Sequence, residues 1–358
     1  MDGIGEKIFV FVVCGAKVHT DTLNFSLPFL QKRTQYRIIV VTDLSRNEGK
    51  ISHPDFMDIK TPEAYSHHQA CIYLKTGLHR FLPQGNAYCY LDSDVLSTGE
   101  NVDQVFDEFI PPIRFAADRA PLNYFSPYAV NCGCKEDFDA RPQAKADRKA
   151  WYWKTMAEID ETVEKTKHRW FYFIKKWQYD LSTQYYRLNR KYYLDKQTDI
   201  WYLRDGTKMI LDDFPEMQDF EYECSHLARL LNTEFNIQVP NDWNHWNGGV
   251  FLFNDGSATF MDEWHRISIS FFGNKKWKTR DQASLVAVAW KMGLQNHPVM
   301  DFKWNFLIDY DKGEILQSGD DVTLLYKGVP LELPEFSHIY SHFGDETWDV
   351  WNFLIQKG

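Results

Sequence analysis

"AYCYLDSDVLSTG", residues 87–99, decides how the rest of this chain is read. Its first five residues, Ala87 to Leu91, are apolar or aromatic and suit a buried strand, and the run stops abruptly at Asp92, Ser93 and Asp94. An ionised carboxylate in an apolar layer costs several kcal/mol unless something neutralises it. Two carboxylates one residue apart, just past a strand end, can converge on one hard cation where the backbone bends. Mg²⁺ and Mn²⁺ take oxygen ligands and complete their shells with phosphate oxygens and water. The plainer reading of the three residues alone is a solvated acidic turn.

Working outward, "KIFVFVVCG" (7–15) and "YRIIVVTD" (36–43) are continuous β-branched and aromatic runs, the pattern of parallel strands covered on both faces. "HTDTLNFSLPFLQKR" (19–33) has room for a crossover helix between them, and "PEAYSHHQACIYLKTGLHRFLP" (62–83) reads as a helical segment leading to the strand at 87. This alternation predicts an α/β fold: a Rossmann-like, mostly parallel central sheet with helices on both faces, and ligands outside the carboxyl ends of the strands. Three such ends, Cys14-Gly15-Ala16, Thr42-Asp43 and Asp92-Ser93-Asp94, are expected to open onto one crevice. Strand character returns at "NGGVFLFND" (247–255), followed by helical patterns at 257–272 and 280–293.

Between these halves the composition changes. We divide the chain into residues 1–140, a helical aromatic and basic insertion at 141–240, and residues 241–358 completing the α/β domain. From Lys165 to Lys196, nine Lys or Arg face two Asp, about +7 with histidine neutral, among ten aromatics. "RWFYFIKKWQYD" (169–180) would put Trp170, Phe173 and Trp177 on one helical face. A helix packed on the main domain is the bland reading; a peripheral contact of 165–196 with anionic lipid, or a platform for a lipid-linked or polysaccharide acceptor, is the sharper one.

The net charge of −10 offers no basic field for nucleic acid, which is excluded as a partner. Aromatics make up 16% of the chain, a surplus that suits core packing first and sugar stacking second. No apolar run approaches the roughly 20 residues that cross a bilayer. The segment from Ile8 reads as a first buried strand and not as an export signal. Of the six cysteines only Cys132 and Cys134 are close in sequence, a poor zinc signature that points to a reduced, cytoplasmic setting, with the inner face of a membrane as the peripheral variant.

"LKTGLHRFLPQGNAYCYLDSDVLSTGENVDQVFD" (74–107) resembles the donor-binding segment of the glycogenin-like and lipopolysaccharide-galactosyltransferase-like enzymes, glycosyltransferase family 8, whose fold is GT-A. Lys75 stands seventeen residues before Asp92, where that family keeps an Arg or Lys. "WNGGVFLFN" (246–254) is similar to its Asn-Ala-Gly strand, "RDQASLVAVAW" (280–290) to its Asp-Gln helix start, and "SHIYSHFGDETW" (337–348) to its His-x-x-Gly-x-x-Lys-Pro-Trp tail. The order is kept across 8–140 and 241–350; the insertion is not covered. The tail departs from the pattern: glycine follows His342 after two positions, and Asp345-Glu346-Thr347 occupies the region of the family lysine.

The resemblance implies a metal-dependent glycosyltransferase that moves a sugar, with retention, from a nucleotide diphosphate donor of the UDP-sugar type to a saccharide or lipid-linked saccharide. It implies Mn²⁺ or Mg²⁺ on Asp92, Asp94 and His342, with His338, four residues earlier, as the competing ligand. Cys14, Gly15, Ala16, Asp43, Lys75, Asp92, Ser93, Asp118, Asn247, Gly248 and Gly249 would contact the donor, and Asp281 and Gln282 would flank the reacting carbon. Lys75, Lys303 or Arg280 would replace the missing lysine. The plainer readings are a tight turn or bulge for the glycines and a helix cap for Asp281. Two rivals are a non-catalytic carbohydrate- or nucleotide-binding protein of the same fold and a sugar-1-phosphate nucleotidyltransferase. The latter would want a Gly-rich, basic loop after its first strand, where "VVCGAKVHTD" (12–21) has one Gly and one Lys.

Overall fold

Strand β1, Lys7–Val13, is buried on both faces from Ile8 onward, as its unbroken apolar run requires. It sits between β2 (Arg37–Thr42) and β4 (Ala87–Leu91), paired parallel with each. The computed structural model describes residues 5–136, 192–195, 200–203, 224–308, 314–318, 321–326, 329–330, 333–340 and 342–357. With β3 (Phe56–Asp58), β6 (Arg114–Pro121) and β9 (Asn244–Phe253), these strands form a six-stranded sheet in the order β3-β2-β1-β4-β9-β6. β9 runs antiparallel to β4 and β6, so the other five strands share one direction. This is the mostly parallel α/β sheet expected from the alternation.

The helices have local causes. α1 (Lys17–Gln31) turns Leu23, Leu27 and Leu30 inward, and they join Phe9, Phe11, Leu91 and Trp304 in one core. α2 (His67–Thr76) starts on a capping box in which the Ser66 side chain accepts from Gln69 N while the Gln69 side chain accepts from Ser66 N, satisfying two backbone donors that a helix start leaves open. Much of the aromatic surplus is spent inside the sheet: Tyr88 stacks on Phe253 at 5.2 Å, and Phe251 lies between Tyr90 at 4.8 Å and Phe115 at 4.9 Å. Each such pair adds about 0.5–1.5 kcal/mol beyond its area.

A second small sheet builds the crevice. Past the Asp-Ser-Asp turn, β5 (Val95–Ser97) pairs antiparallel with β14 (Phe336–His338), which in turn pairs parallel with β10 (Phe306–Leu307). Its register sets Val95 opposite His338, and Ile339 N donates to Asp94 O at 3.0 Å. Three further strands, β11 (Glu314–Ser318), β12 (Asp321–Tyr326) and β13 (Val329–Pro330), form an antiparallel meander.

The chain divides into two compact units, one of Met1–Asn131 with Cys224–Gly358 and one of Cys132–Glu223. The helix His226–Phe235 belongs to the first, although the sequence reading counted residues up to 240 with the insertion. In the second unit, β7 (Tyr192–Asp195) and β8 (Ile200–Leu203) pair antiparallel, where helices were expected. Tyr-Tyr-Leu and Ile-Trp-Tyr-Leu are rich in aromatic and branched residues that favour a pleated strand. The expected helical face of Trp170, Phe173 and Trp177 lies outside the described residues. Among the described residues no helix is long and apolar enough to cross a membrane.

Candidate functional site

The Asp-Ser-Asp turn is held from three sides. Asp92 N donates to Gly249 O at 2.8 Å, Val95 N to Asp92 O at 3.1 Å, and Ser26 Oγ of α1 to Ser93 O at 2.6 Å. The backbone thus bends at the end of β4, and one ligand atom from each of Asp92, Asp94 and His338 falls within a mutual 4.8 Å. His338 Nε2 is 3.3 Å from Asp94 Oδ1. Burial would raise the Asp94 carboxyl pKa, but the His338 imidazole beside it wins and holds it below its ordinary value. Two carboxylates and one imidazole are a donor set that suits Mn²⁺ or Mg²⁺ with room for phosphate oxygens.

His338, and not His342, joins the two aspartates. Pairing along β14 ends at His338, and His342 lies beyond it, exposed, with its ring 5.2 Å from Trp348. A strand register is discrete, so a slip of one residue would turn His338 to the opposite face.

Lys75 lies behind the acidic pair. Its Nζ is 3.2 Å from Asp92 Oδ1 and 3.2 Å from Asp281 Oδ2, and 5.0 Å from the centre of the Tyr90 ring. Burial would lower the Lys75 pKa, but the two carboxylates outweigh it and keep the ammonium charged. Asp281 in turn is pulled below its ordinary value, because Lys75 and then His68 overcome its burial. Tyr90, two residues before Asp92 on the same strand face, donates its hydroxyl to Asp92 Oδ1. Sequence reasoning passed over Tyr90, although the alternation of a strand places it there.

The glycines and the Asp-Gln pair meet at the same place. Gly248 N donates to Gln282 Oε1 at 3.0 Å, and an added Cβ at 248 would stand 3.1 Å from that oxygen and 3.5 Å from Lys75 Nζ. Gly249 N donates to Asn247 Oδ1 at 2.7 Å, and Asn247 Nδ2 donates to Asp118 Oδ2 at 3.0 Å. The β6–β9 register shifts here, Phe115 facing Phe251 while Ala116 faces Asn247. The bulge and the close approach of side chains therefore occur together.

The other strand ends are arranged differently. Asp43 is buried and its oxygens are engaged: Oδ1 accepts from Ser45 N and Oγ at 3.1 and 2.5 Å, Oδ2 from Thr61 N and Oγ1 at 2.9 and 2.7 Å. Cys14 is buried, its thiol pushed up to about 11 by burial and then by Asp43. Gly15 has φ of +103°, and a Cβ there would lie 2.6 Å from His67 Cβ, so the step from β1 to Ala16 and α1 needs glycine on both counts. One partner escaped sequence reasoning entirely: Asn305 Oδ1 lies 2.9 Å from His338 Nδ1, with Asn305 2% exposed.

No family model matches this chain, and no curated protein matches it either. Among solved structures it is similar to the galactosyltransferase LgtC in complex with donor and acceptor sugar analogs, at 10% identity and a TM-score of 0.42 over 98% of this chain and 95% of that one. It is similar to mouse xyloside xylosyltransferase 1 at 9% identity and a TM-score of 0.42, covering 94% of this chain and 98% of that one. The bifunctional glycosyltransferase WbbM gives 11% identity and a TM-score of 0.40 over 84% of this chain, which spans 40% of WbbM's length.

Proposed function

We propose that this chain is a metal-dependent glycosyltransferase that moves a sugar, with retention, from a UDP-sugar to a saccharide or lipid-linked saccharide. The observation that carries the reading is the convergence of Asp92, Asp94 and His338 at the carboxyl end of a parallel strand, backed by the buried Lys75–Asp281 pair. That is where an open α/β sheet receives its ligand. Asp92, Asp94 and His338 would hold Mn²⁺ or Mg²⁺, which acts as a Lewis acid on the donor diphosphate and stabilises charge on the departing nucleotide.

The protein's own groups do the rest. Lys75 fixes Asp92 and Asp281 against each other, and with its charge spent on these two carboxylates it leaves Arg280 or Lys303 to meet the diphosphate. Gly248 and Gly249 make room for the Gln282 amide and the His338 ring, while Asn247, Asp118 and Asp281 offer hydrogen-bonding oxygens and an amide to the hydroxyls of the sugar. Gln282, held by Gly248 N, stands beside the reacting carbon. Such preorganised donors and charges lower the barrier without reorganising during the reaction.

The deciding experiment is a panel of nucleotide sugars with Mn²⁺, scored by release of the free nucleoside diphosphate with and without saccharide acceptors. The expected outcome is metal-dependent UDP release from one UDP-sugar, lost in Asp94→Ala. Full activity of Asp94→Ala, or pyrophosphate exchange in place of UDP release, would end this reading.

A further inference from the structure

His338 has two ring nitrogens, and only one of them can face the aspartates. Nε2 does so, 3.3 Å from Asp94 Oδ1. The other, Nδ1, is 2.9 Å from Asn305 Oδ1, and both residues are almost wholly buried, at 5% and 2% exposure. A carbonyl oxygen can only accept, so this contact requires the proton on Nδ1 and leaves Nε2 as the nitrogen that faces Asp92 and Asp94, a donor to Asp94 when protonated and a ligand when it is not. A neutral imidazole in that tautomer is a ligand; the opposite tautomer is not.

The placement of Asn305 follows from the fold. A short helical turn, Phe302–Trp304, is capped by Asp301, and Asn305 N closes it onto Phe302 O at 3.0 Å. β10 then begins and pairs in parallel with β14, Leu307 opposite His338, with Ile308 N donating to His338 O at 3.1 Å. The same ladder that delivers His338 to the crevice therefore delivers Asn305 to its far side. On the remaining side the ring lies against Gly249, where an added Cβ would stand 2.5 Å from His338 Cε1. Asn305 Nδ2 is buried with no partner among the described residues. A buried amide hydrogen left unpaired is costly, and it is tolerated here together with an amide oxygen turned to the histidine.

We infer that Asn305 is a positioning residue for the metal centre, keeping the His338 ring in the Nδ1–H tautomer with Nε2 turned to Asp92 and Asp94. The inference rests on the metal reading of that triad and adds to it the residue that selects the ligating nitrogen. Loss of such an outer hydrogen bond typically lowers metal affinity about 10- to 100-fold.

The test uses the full chain and Mn²⁺ as the probe, with affinity measured by calorimetry and by the Mn²⁺ paramagnetic resonance signal. Asn305→Leu should weaken Mn²⁺ by ten- to a hundredfold, and Asn305→Asp, which keeps an oxygen facing Nδ1, should bind within a few-fold of wild type. Imidazole ¹⁵N shifts of the metal-free protein give a second readout that altered stability alone would not move: Nδ1 protonated in wild type and Asn305→Asp, a mixture of tautomers in Asn305→Leu. Wild-type affinity in Asn305→Leu would overturn the inference. So would a wild-type ring with Nδ1 unprotonated, because that would mean that the amide nitrogen faces the ring. If wild type binds no Mn²⁺, or His338→Ala leaves its affinity unchanged, the metal reading itself fails; the shift measurement separates that case from a failure of the positioning role.

Discussion

Gly249 and His338 stand so close that no side chain fits between them: a Cβ at 249 would lie 2.5 Å from His338 Cε1 and 2.9 Å from Nδ1. Gly249→Ala must push the imidazole off its seat or displace β9. We expect Mn²⁺ affinity to fall about tenfold or more, measured by calorimetry, whereas Gly248→Ala, whose Cβ would meet the Gln282 amide at 3.1 Å, should keep metal binding and lose transfer. Unchanged Mn²⁺ affinity in Gly249→Ala would remove His338 from the metal site.

Lys75 holds two carboxylates that lie only 29% and 17% exposed. Removing one partner of a buried ion pair leaves uncompensated charge and costs about 3–5 kcal/mol; partial exposure of Asp92 argues for the lower end. Lys75→Met should therefore lower the unfolding free energy by about 3 kcal/mol in a urea titration. Lys75→Met combined with Asp281→Asn should recover part of that loss. A double variant no more stable than the single one would show that packing of the lysine stem, and not charge, dominates.

His265 reports on the core through pH. It is buried, its Nδ1 lies 2.8 Å from Thr76 Oγ1, and burial, aided by Arg80 and His79, lowers its pKa from 6.5 to about 4. The unfolded chain then binds a proton below pH 6.5 that the folded chain refuses until about pH 4. Stability conferred by the neutral ring is complete above pH 6.5 and declines as pH falls through that window, by up to about 3 kcal/mol. Denaturant titrations from pH 7 to 4.5 should show this slope, reduced by close to one proton in His265→Gln. An equal slope in the variant would assign it to other histidines.

Ligand linkage tests the proposed metal centre without any turnover. A ligand present at a hundred times its Kd stabilises the folded state by roughly 2.7 kcal/mol. Mn²⁺ with UDP should raise Tm by several degrees, EDTA should abolish the rise, and Asp94→Asn should fail to respond while keeping its metal-free Tm. An undiminished rise in EDTA would separate nucleotide binding from the metal.

Much of the frame is legible in consecutive residues. β1, β2 and β4 follow from unbroken apolar runs, and the Asp-Ser-Asp and Asp-Gln positions, both at element ends, meet around one crevice with Asn247, Gly248 and Gly249 from within β9. The middle of the chain was less legible: Tyr192–Asp195 and Ile200–Leu203 pair as strands inside a stretch whose basic and aromatic composition reads equally well as helix. Tyr90 was passed over because its aromatic ring looks like one more core residue, and only the position of Asp92 reveals what its hydroxyl does.

The sequence by itself determined the α/β alternation, the acidic turn at the end of β4 and the residue types of the site, because each depends on neighbours a few positions away. The tertiary structure decided which histidine faces Asp94, which carboxylates share Lys75, and which amide steers the imidazole. Those choices depend on pairings across long separations, 206 residues from Lys75 to Asp281 and 33 from Asn305 to His338. They are set by strand register, which is discrete: the pairing of Val95 with His338 seats one imidazole beside Asp94 and leaves His342 outside the strand.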